Sequence, residues 1–145
     1  MILPDVNVLI YAFRPDVPLH SISRTWLEGV IKGQAKFALS KLALSALVRV
    51  TTNRRSYPIP SSLDDAFGFC DDLLAQPHCQ FVEPGERHWE IFRHLCIATG
   101  KRGPDVTDLW YAALAIEWGC EWVTFDRDFA NVPDLKCTLL NVESS

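Results

Sequence analysis

Three aspartates are the residues of this sequence whose type and position best suit chemistry. Asp5 follows an apolar stretch at residues 1–3, and Asp126 comes shortly after another at 122–124. Asp108 stands at the start of a long apolar pattern with helical spacing. A carboxylate beside buried residues is unfavourable unless it is paired or binds a cation. The three acids are therefore candidate ligands for a metal ion.

The chemistry that such a set would support is metal-assisted hydrolysis. Converging carboxylates repel one another and raise one another's pKa unless a divalent cation neutralises them. Mg²⁺ and Mn²⁺ prefer oxygen ligands, and water bound to such an ion can attack a phosphodiester. The sequence shows no recognisable Ser-His-Asp triad, and its four histidines have no metal-ligand spacing. The acids alone thus point to a phosphodiesterase site.

Each aspartate also has a plain structural interpretation. Asp5 could be the N-cap of a helix, and Asp126 could be an ordinary turn residue. Asp105 and Asp108 could form a capping pair, at the N-cap and three residues later. The residues taken singly leave these alternatives open.

Strands alternate with helices along the chain, and this predicts the scaffold that positions the acids. Helical spacing predicts helices at residues 6–13, 20–31, 41–50, 63–75, 86–98 and 106–118, with Asp105 capping the last one. Short apolar runs predict strands at 1–3, 35–39, 80–82, 121–124 and 138–142. This order predicts an α/β fold with a mainly parallel sheet covered on both faces. Sites in such sheets lie beyond the carboxyl ends of the strands, where Asp5 and Asp126 would meet.

Composition narrows the class of protein. A length of 145 residues predicts one domain spanning 1–145, and 48% hydrophobic residues suffice for a core. The net charge of −4 argues against binding nucleic acid through bulk positive charge, although acids neutralised by cations escape that argument. Five scattered cysteines without a C-x-x-C pair indicate reduced thiols and a cytoplasmic protein. No signal-peptide pattern or membrane-length apolar run is visible.

Three segments, in order and spacing, resemble the PIN-domain family. Residues 3–10 (LPDVNVLI) are similar to its opening strand and helix, 106–116 (VTDLWYAALAI) to its later helix, and 123–129 (VTFDRDF) to its final turn. The likeness is greatest to VapC-type toxins of type II toxin–antitoxin pairs. It implies a three-layer α/β/α fold and a Mg²⁺- or Mn²⁺-dependent endoribonuclease that cleaves a structured cellular RNA of the transfer or ribosomal class. It also implies a VapB-like antitoxin partner and a homodimer.

The resemblance assigns roles to particular residues. Asp5, Asp108 and Asp126 become the catalytic acids that bind the metal. The supporting residues around them would be Asn7, Thr124, Asp128 and Asp105.

One departure from the family lies on the third predicted helix. The family usually carries a glutamate there, but the matching position is Ala46, and no Asp or Glu occurs from 30 to 63. Asp105 or Asp128 would have to replace it, or the site would work with fewer acids, or its activity would be weakened.

Basic residues could contact the RNA backbone. Arg49, shortly after Ala46, is the cation expected near the acids. Two further basic pairs beside loops could follow the phosphates. They are Arg54 with Arg55, and Lys101 with Arg102.

Two other functions compete with this interpretation. A haloacid-dehalogenase-like phosphohydrolase also places an aspartate after its first strand. It needs a second one two residues later, where this chain has Asn7. A non-catalytic PIN-like module that binds RNA or protein is the other rival, and the missing glutamate favours it.

Overall fold

A five-stranded parallel sheet forms the centre of the fold. The computed structural model describes residues 1–140. The sheet order is β3-β2-β1-β4-β5, and every pairing in it is parallel. The strands are β1 Ile2–Pro4, β2 Phe37–Leu39, β3 Cys79–Phe81, β4 Glu121–Thr124 and β5 Cys137–Leu139. The predicted parallel α/β sheet is therefore confirmed. Of the predicted last strand, residues 141 and 142 lie outside the described residues.

Six α-helices connect and cover the strands. They are α1 Val6–Phe13, α2 His20–Lys32, α3 Lys41–Thr51, α4 Leu63–Leu74, α5 His88–Thr99 and α6 Asp105–Trp118. A short 3-10 helix, Arg127–Asn131, follows β4. The six predicted helices are confirmed, with ends that differ by at most two residues.

Alternation along the strands divides the core between the two faces of the sheet. Phe37 and Leu39 of β2 are buried in a cluster with side chains of α1 to α4. Ala38, between them, is buried in the second cluster, which α6 dominates. Successive side chains of a strand point to opposite faces, so the sheet is a middle layer between two layers of helices. This is the predicted three-layer α/β/α arrangement.

The start of α6 corrects one sequence prediction. Asp105 is the first residue inside the helix, Pro104 occupies the N-cap position, and no side chain caps this end. Pro104 has helical backbone angles, φ −59° and ψ −28°, and the amides of Val106 and Thr107 already bond to the carbonyls of Gly103 and Pro104. The prediction that Asp105 caps α6 is therefore wrong. Proline starts the turn earlier because its ring presets φ for a helix.

The order of the strands places a crevice between β1 and β4. From β1 the chain builds outward through β2 and β3, and it then crosses to the other side for β4 and β5. The carboxyl ends of two such diverging neighbours form the usual binding crevice of a parallel sheet. Asp5 directly follows β1 and Asp126 stands two residues after β4. Within residues 1–140 no helix is long and apolar enough to cross a bilayer.

Candidate metal-binding active site

Asp5 is a buried carboxylate tied to the neighbouring strand. Its exposure is 7%, and its Oδ2 accepts a hydrogen bond of 2.7 Å from the hydroxyl of Thr124. Asp5 has the backbone position of an N-cap for α1, but its side chain makes no capping hydrogen bond of ordinary geometry. Burial raises the pKa of this carboxyl to about 6, and the charge of Asp108 adds to the rise, while the Thr124 hydroxyl opposes it. The backbone N–H groups of Val6 and Asn7 oppose the rise as well, and the side-chain hydrogen bond of Asp5 goes to β4.

Thr124 joins three of the predicted site residues. This fully buried residue donates its only hydroxyl proton to Asp5. Its oxygen accepts from the Asn7 side-chain amide at 3.3 Å and from the backbone N–H of Asp126 at 3.0 Å. Because the hydroxyl proton is already used, the Asn7 amide must present Nδ2 to Thr124. The Oδ1 atom of Asn7 is then left buried without a hydrogen-bond partner, an acceptor available to a ligand.

Asp126 begins the 3-10 helix after β4. Its Oδ1 accepts a hydrogen bond of 2.9 Å from the backbone N–H of Asp128, which fixes the carboxylate as the cap of this helix. The turn interpretation of Asp126 is therefore correct for one of its oxygens. The Asp128 side chain is exposed. The contribution of Asp128 to the site is its backbone N–H, which holds the Asp126 carboxylate in place.

Asp108 completes the cluster from the side of α6. Partial burial raises the pKa of its carboxyl, and the charges of Asp126, Asp105 and Asp128 raise it further. Lys101 opposes this rise. Since Asp108 also acts on Asp5, Asp108 lies within electrostatic range of each of the other two candidate acids. Lys101 is the one member of the predicted basic pairs whose charge reaches them.

Two further side chains, Arg49 of α3 and Tyr111 of α6, are linked to the acids through their charges. Ala46 leaves α3 without a carboxylate, and Arg49, one turn later, has an exposed side chain. Tyr111 lies one turn after Asp108 on α6 and is 8% exposed. The charges of Asp5 and Arg49 both act on its phenol. Sequence analysis missed Tyr111; the only signal was its spacing of three residues from Asp108, which places both on one helix face.

The chemistry of the donor set fits a divalent cation with oxygen ligands. Burial, with a smaller contribution from like charges, raises the pKa of Asp5 and of Asp108, and Asn7 Oδ1 is an unpartnered buried acceptor nearby. The side chains as they stand do not form a closed shell, because within residues 1–140 no group of three His, Cys, Asp or Glu could hold an ion together. Mg²⁺ does not require one, since it often takes one or two carboxylates and keeps several waters. The grouping of all three acids as direct ligands stays a prediction.

The remaining basic candidates are exposed. Arg54 and Arg55 are exposed just past the end of α3, and Arg102 is exposed before α6. His88, in contrast, is buried with its Nε2 bonded to the Trp110 carbonyl at 2.9 Å. His88 is therefore a core histidine whose hydrogen bond is satisfied. All five cysteines are free thiols.

Comparison with known families and relatives gives a consistent result. Residues 2–135 match the model of the PIN domain. Ribonuclease VapC25 of Mycobacterium tuberculosis is 38% identical over 136 residues, which cover 94% of this chain and 96% of that protein. Ribonuclease VapC43 of the same species is 39% identical, with coverage of 94% and 92%.

Solved structures share the fold at lower identity. VapBC2 from Rickettsia felis, bound to a DNA fragment from its promoter, aligns with a TM-score of 0.70 at 18% identity, over 97% of this chain and 100% of that one. Mycobacterium tuberculosis VapC20, described as a sarcin-ricin loop cleaving toxin, aligns with a TM-score of 0.67 at 12% identity, over 93% and 98%. At these identities the likeness concerns the fold.

Proposed function

This chain belongs to the PIN-domain family, and on that premise we propose that it is a VapC-type toxin, a ribonuclease whose activity a partner antitoxin restrains. The relatives that match nearly its whole length are named as VapC ribonucleases. Several solved neighbours are complexes of a toxin with its antitoxin. The acids at the β1–β4 crevice supply a place for hydrolysis.

One observation carries the proposal: the Thr124 side chain holds acids from two adjacent strand ends in one crevice. Its hydroxyl donates to Asp5, and its oxygen accepts from the backbone of Asp126. A buried carboxylate raised to a pKa of about 6 is unfavourable for folding. Groups held in such an unfavourable state are candidates for function.

We further propose that Mg²⁺ or Mn²⁺ is held by Asp5, Asp108 and Asp126. A bound ion would acidify a coordinated water and stabilise the charge that develops on the phosphodiester. The protein's part is orientation: Thr124 engages one oxygen of Asp5, and the Asp128 amide engages one oxygen of Asp126. Each carboxylate keeps its second oxygen for a ligand. Asn7 Oδ1 is available to a coordinated water.

The proposed substrate is a structured cellular RNA of the transfer or ribosomal class. Arg49 and Lys101 are the cations near the acids and suit its phosphates. Arg54, Arg55 and Arg102 are exposed, and we propose that they contact flanking nucleotides.

The proposed partners are a VapB-like antitoxin and a second copy of the chain. Large apolar side chains are exposed on several helices, among them Phe67 at 51%, Trp89 at 65% and Ile97 at 76%. Surface of this kind usually marks contacts with other proteins. We expect a homodimer burying at least about 1,000 Å² in total.

A non-catalytic PIN module is the second candidate. It is favoured by the lack of an acid at Ala46 and by the open geometry of the three acids. Such a module would bind RNA or a partner without cutting.

The test is cleavage of bulk transfer and ribosomal RNA by the purified chain, freed of antitoxin. We expect cleavage with Mg²⁺ or Mn²⁺, none with a chelator, and loss of cleavage in Asp108→Asn. Asp64→Asn is the matched control, since Asp64 also lies in the first turn of a helix but far along the chain in α4. Tight RNA binding with no metal-dependent cleavage would instead support the non-catalytic module.

A further inference from the structure

Tyr111 has a buried ring and a hydroxyl that faces solvent. The ring stacks on Trp122 of β4, with centroids 5.8 Å apart, and meets Trp110 edge-on at 5.2 Å. The buried side-chain polar atoms without partners, within residues 1–140, are Asn7 Oδ1, Ser23 Oγ and Trp122 Nε1. The Tyr111 hydroxyl is not one of them, and it bonds to no described residue. It therefore reaches the solvent of the crevice although the residue is 8% exposed.

The surroundings of this hydroxyl keep it protonated. Burial raises the pKa of Tyr111 to about 12; the charge of Asp5 adds to the rise and that of Arg49 opposes it. At neutral pH the phenol is a constant hydrogen-bond donor. The ionised carboxylates of the crevice, in contrast, can only accept hydrogen bonds, and their charge repels a phosphate.

Arg49 is a cation without a counter-ion in the described chain. The ion pairs within residues 1–140 are Arg14 with Asp16 and Arg24 with Glu28. The charge of Arg49 acts on the Tyr111 phenol from α3, the helix that has no acid at Ala46. Tyr111 itself follows Asp108 by one turn on α6, and its ring stacks on Trp122, two residues before Thr124.

We propose that Tyr111 is a substrate-contacting residue whose hydroxyl donates a hydrogen bond to a non-bridging oxygen of the scissile phosphate, beside the Arg49 guanidinium. This inference rests on the proposed ribonuclease function. A phosphate entering among carboxylates is repelled, and a donor fixed by a stacked ring stabilises its charge without having to reorganise. Tyr111 is well suited because Trp122 anchors its ring on the strand that also carries Thr124.

Tyr111→Phe removes the hydroxyl and keeps the stacked ring. On a synthetic RNA carrying the mapped cut site, we expect kcat to fall about 10- to 100-fold and KM to rise about 3- to 10-fold, with Tm nearly unchanged. Replacing one non-bridging oxygen of the cut phosphate by sulfur should slow the wild type more than Tyr111→Phe. Tyr57→Phe is the matched control, because Tyr57 is also a partly buried tyrosine beside an arginine, with the Arg14 guanidinium 4.3 Å from its ring centroid. Its kcat should equal that of the wild type.

A binding measurement separates this proposal from the ribonuclease proposal itself. With fluorescently labelled transfer RNA in the presence of a chelator, Tyr111→Phe should bind about 3- to 10-fold more weakly than wild type and Tyr57→Phe equally well. A wild type that cuts no RNA would refute the ribonuclease function, and the binding arm would still judge Tyr111. Equal affinity and equal kcat in Tyr111→Phe, or a kcat loss that follows a fall in Tm, would overturn the assignment.

Discussion

The two ends of helix α1 treat a carboxylate in opposite ways. Asp5, before the helix, is buried near the like charge of Asp108, and burial raises the pKa of its carboxyl to about 6. Asp16, after the helix, is exposed and paired with the buried Arg14, whose hydrogen bond holds the pKa of the Asp16 carboxyl below its usual range. The surroundings of Asp5 thus disfavour its charged carboxylate, whereas those of Asp16 stabilise it.

The Arg14 end has every feature of a stabilising cluster. Two guanidinium nitrogens bond to the Asp16 carboxylate, a third contact of 3.0 Å reaches the Ser61 hydroxyl, and the Tyr57 ring lies beneath the group. The charges of Arg14 and Asp16 match each other. The hydrogen bond to Ser61 connects the end of α1 to the loop before α4. We expect no ligand at this end. The Asp5 end has unmatched charge, which suits the proposed cation. The comparison indicates that a candidate site is marked by carboxylate charge that its neighbours do not compensate, more than by the presence of an acidic residue.

The largest expected effect is on cleavage by Asp5→Asn. The amide keeps an acceptor for Thr124 but loses the charge, so the RNA cleavage rate should fall at least about 1,000-fold. Because the variant also loses a buried, repelled charge, its metal-free Tm at pH 7 should equal or exceed that of the wild type. Rates and calorimetry on one preparation measure both. Unfolding of the variant would mean that Asp5 is structural after all.

Arg14→Ala should produce the reverse pattern. Removing the guanidinium breaks three hydrogen bonds and empties a buried position, so stability should fall by about 2–4 kcal/mol. For a chain of this length, that corresponds to a Tm lowered by about 5–15 °C. The cleavage rate per folded molecule should not change. A selective loss of cleavage with normal Tm would erase the contrast between the two ends.

The pH dependence of stability should have opposite signs at the two ends. The Asp5 carboxyl binds protons more tightly folded than unfolded, so its contribution is most favourable below pH 3.8 and is lost as the pH rises towards 6. The free energy of unfolding of metal-free Asp5→Asn, minus that of wild type, should thus rise by about 2–3 kcal/mol across this window. For Asp16 the lowered pKa stabilises the fold above its ordinary range and loses that effect as the pH falls. Denaturation at several pH values, with Asp16→Asn as counterpart, checks both signs.

The smallest effect is expected from Ala46→Glu. A carboxylate added to α3 near Arg49 should tighten Mg²⁺ binding by about 3- to 10-fold, because affinity follows the number of charged ligands. Titration calorimetry on wild type and variant measures the difference. Unchanged affinity would show that α3 lies too far from the ion to take part.

Sequence patterns predicted the fold well because strong periodicity governs it. The helices and the sheet followed from apolar spacing, and α1 and β4 were predicted residue for residue. The start of α6 was missed because Pro104 competes with Asp105 for the cap position, and side-chain preference alone favours aspartate.

The site was predictable only where a residue type signals its own chemistry. Aspartates after strands stand out in a sequence, and the crevice contains them. Tyr111 does not stand out, because a tyrosine within an apolar helical pattern is predicted to be an ordinary core residue. Its ring does pack. Only the structure shows that the charges of Asp5 and Arg49 act on its hydroxyl.

The pairing of β1 with β4 has a consequence for the newly made chain. Leu3 lies in register with Trp122, so the central strand pair joins segments almost a whole chain length apart. Such distant contacts form late in folding. A ribosome that has made only the first hundred residues carries a chain with Asp5 but without Thr124, Asp108 or Asp126. On the proposed function, such a chain would lack three of the site residues, and we expect no RNA cleavage by it until β4 has emerged.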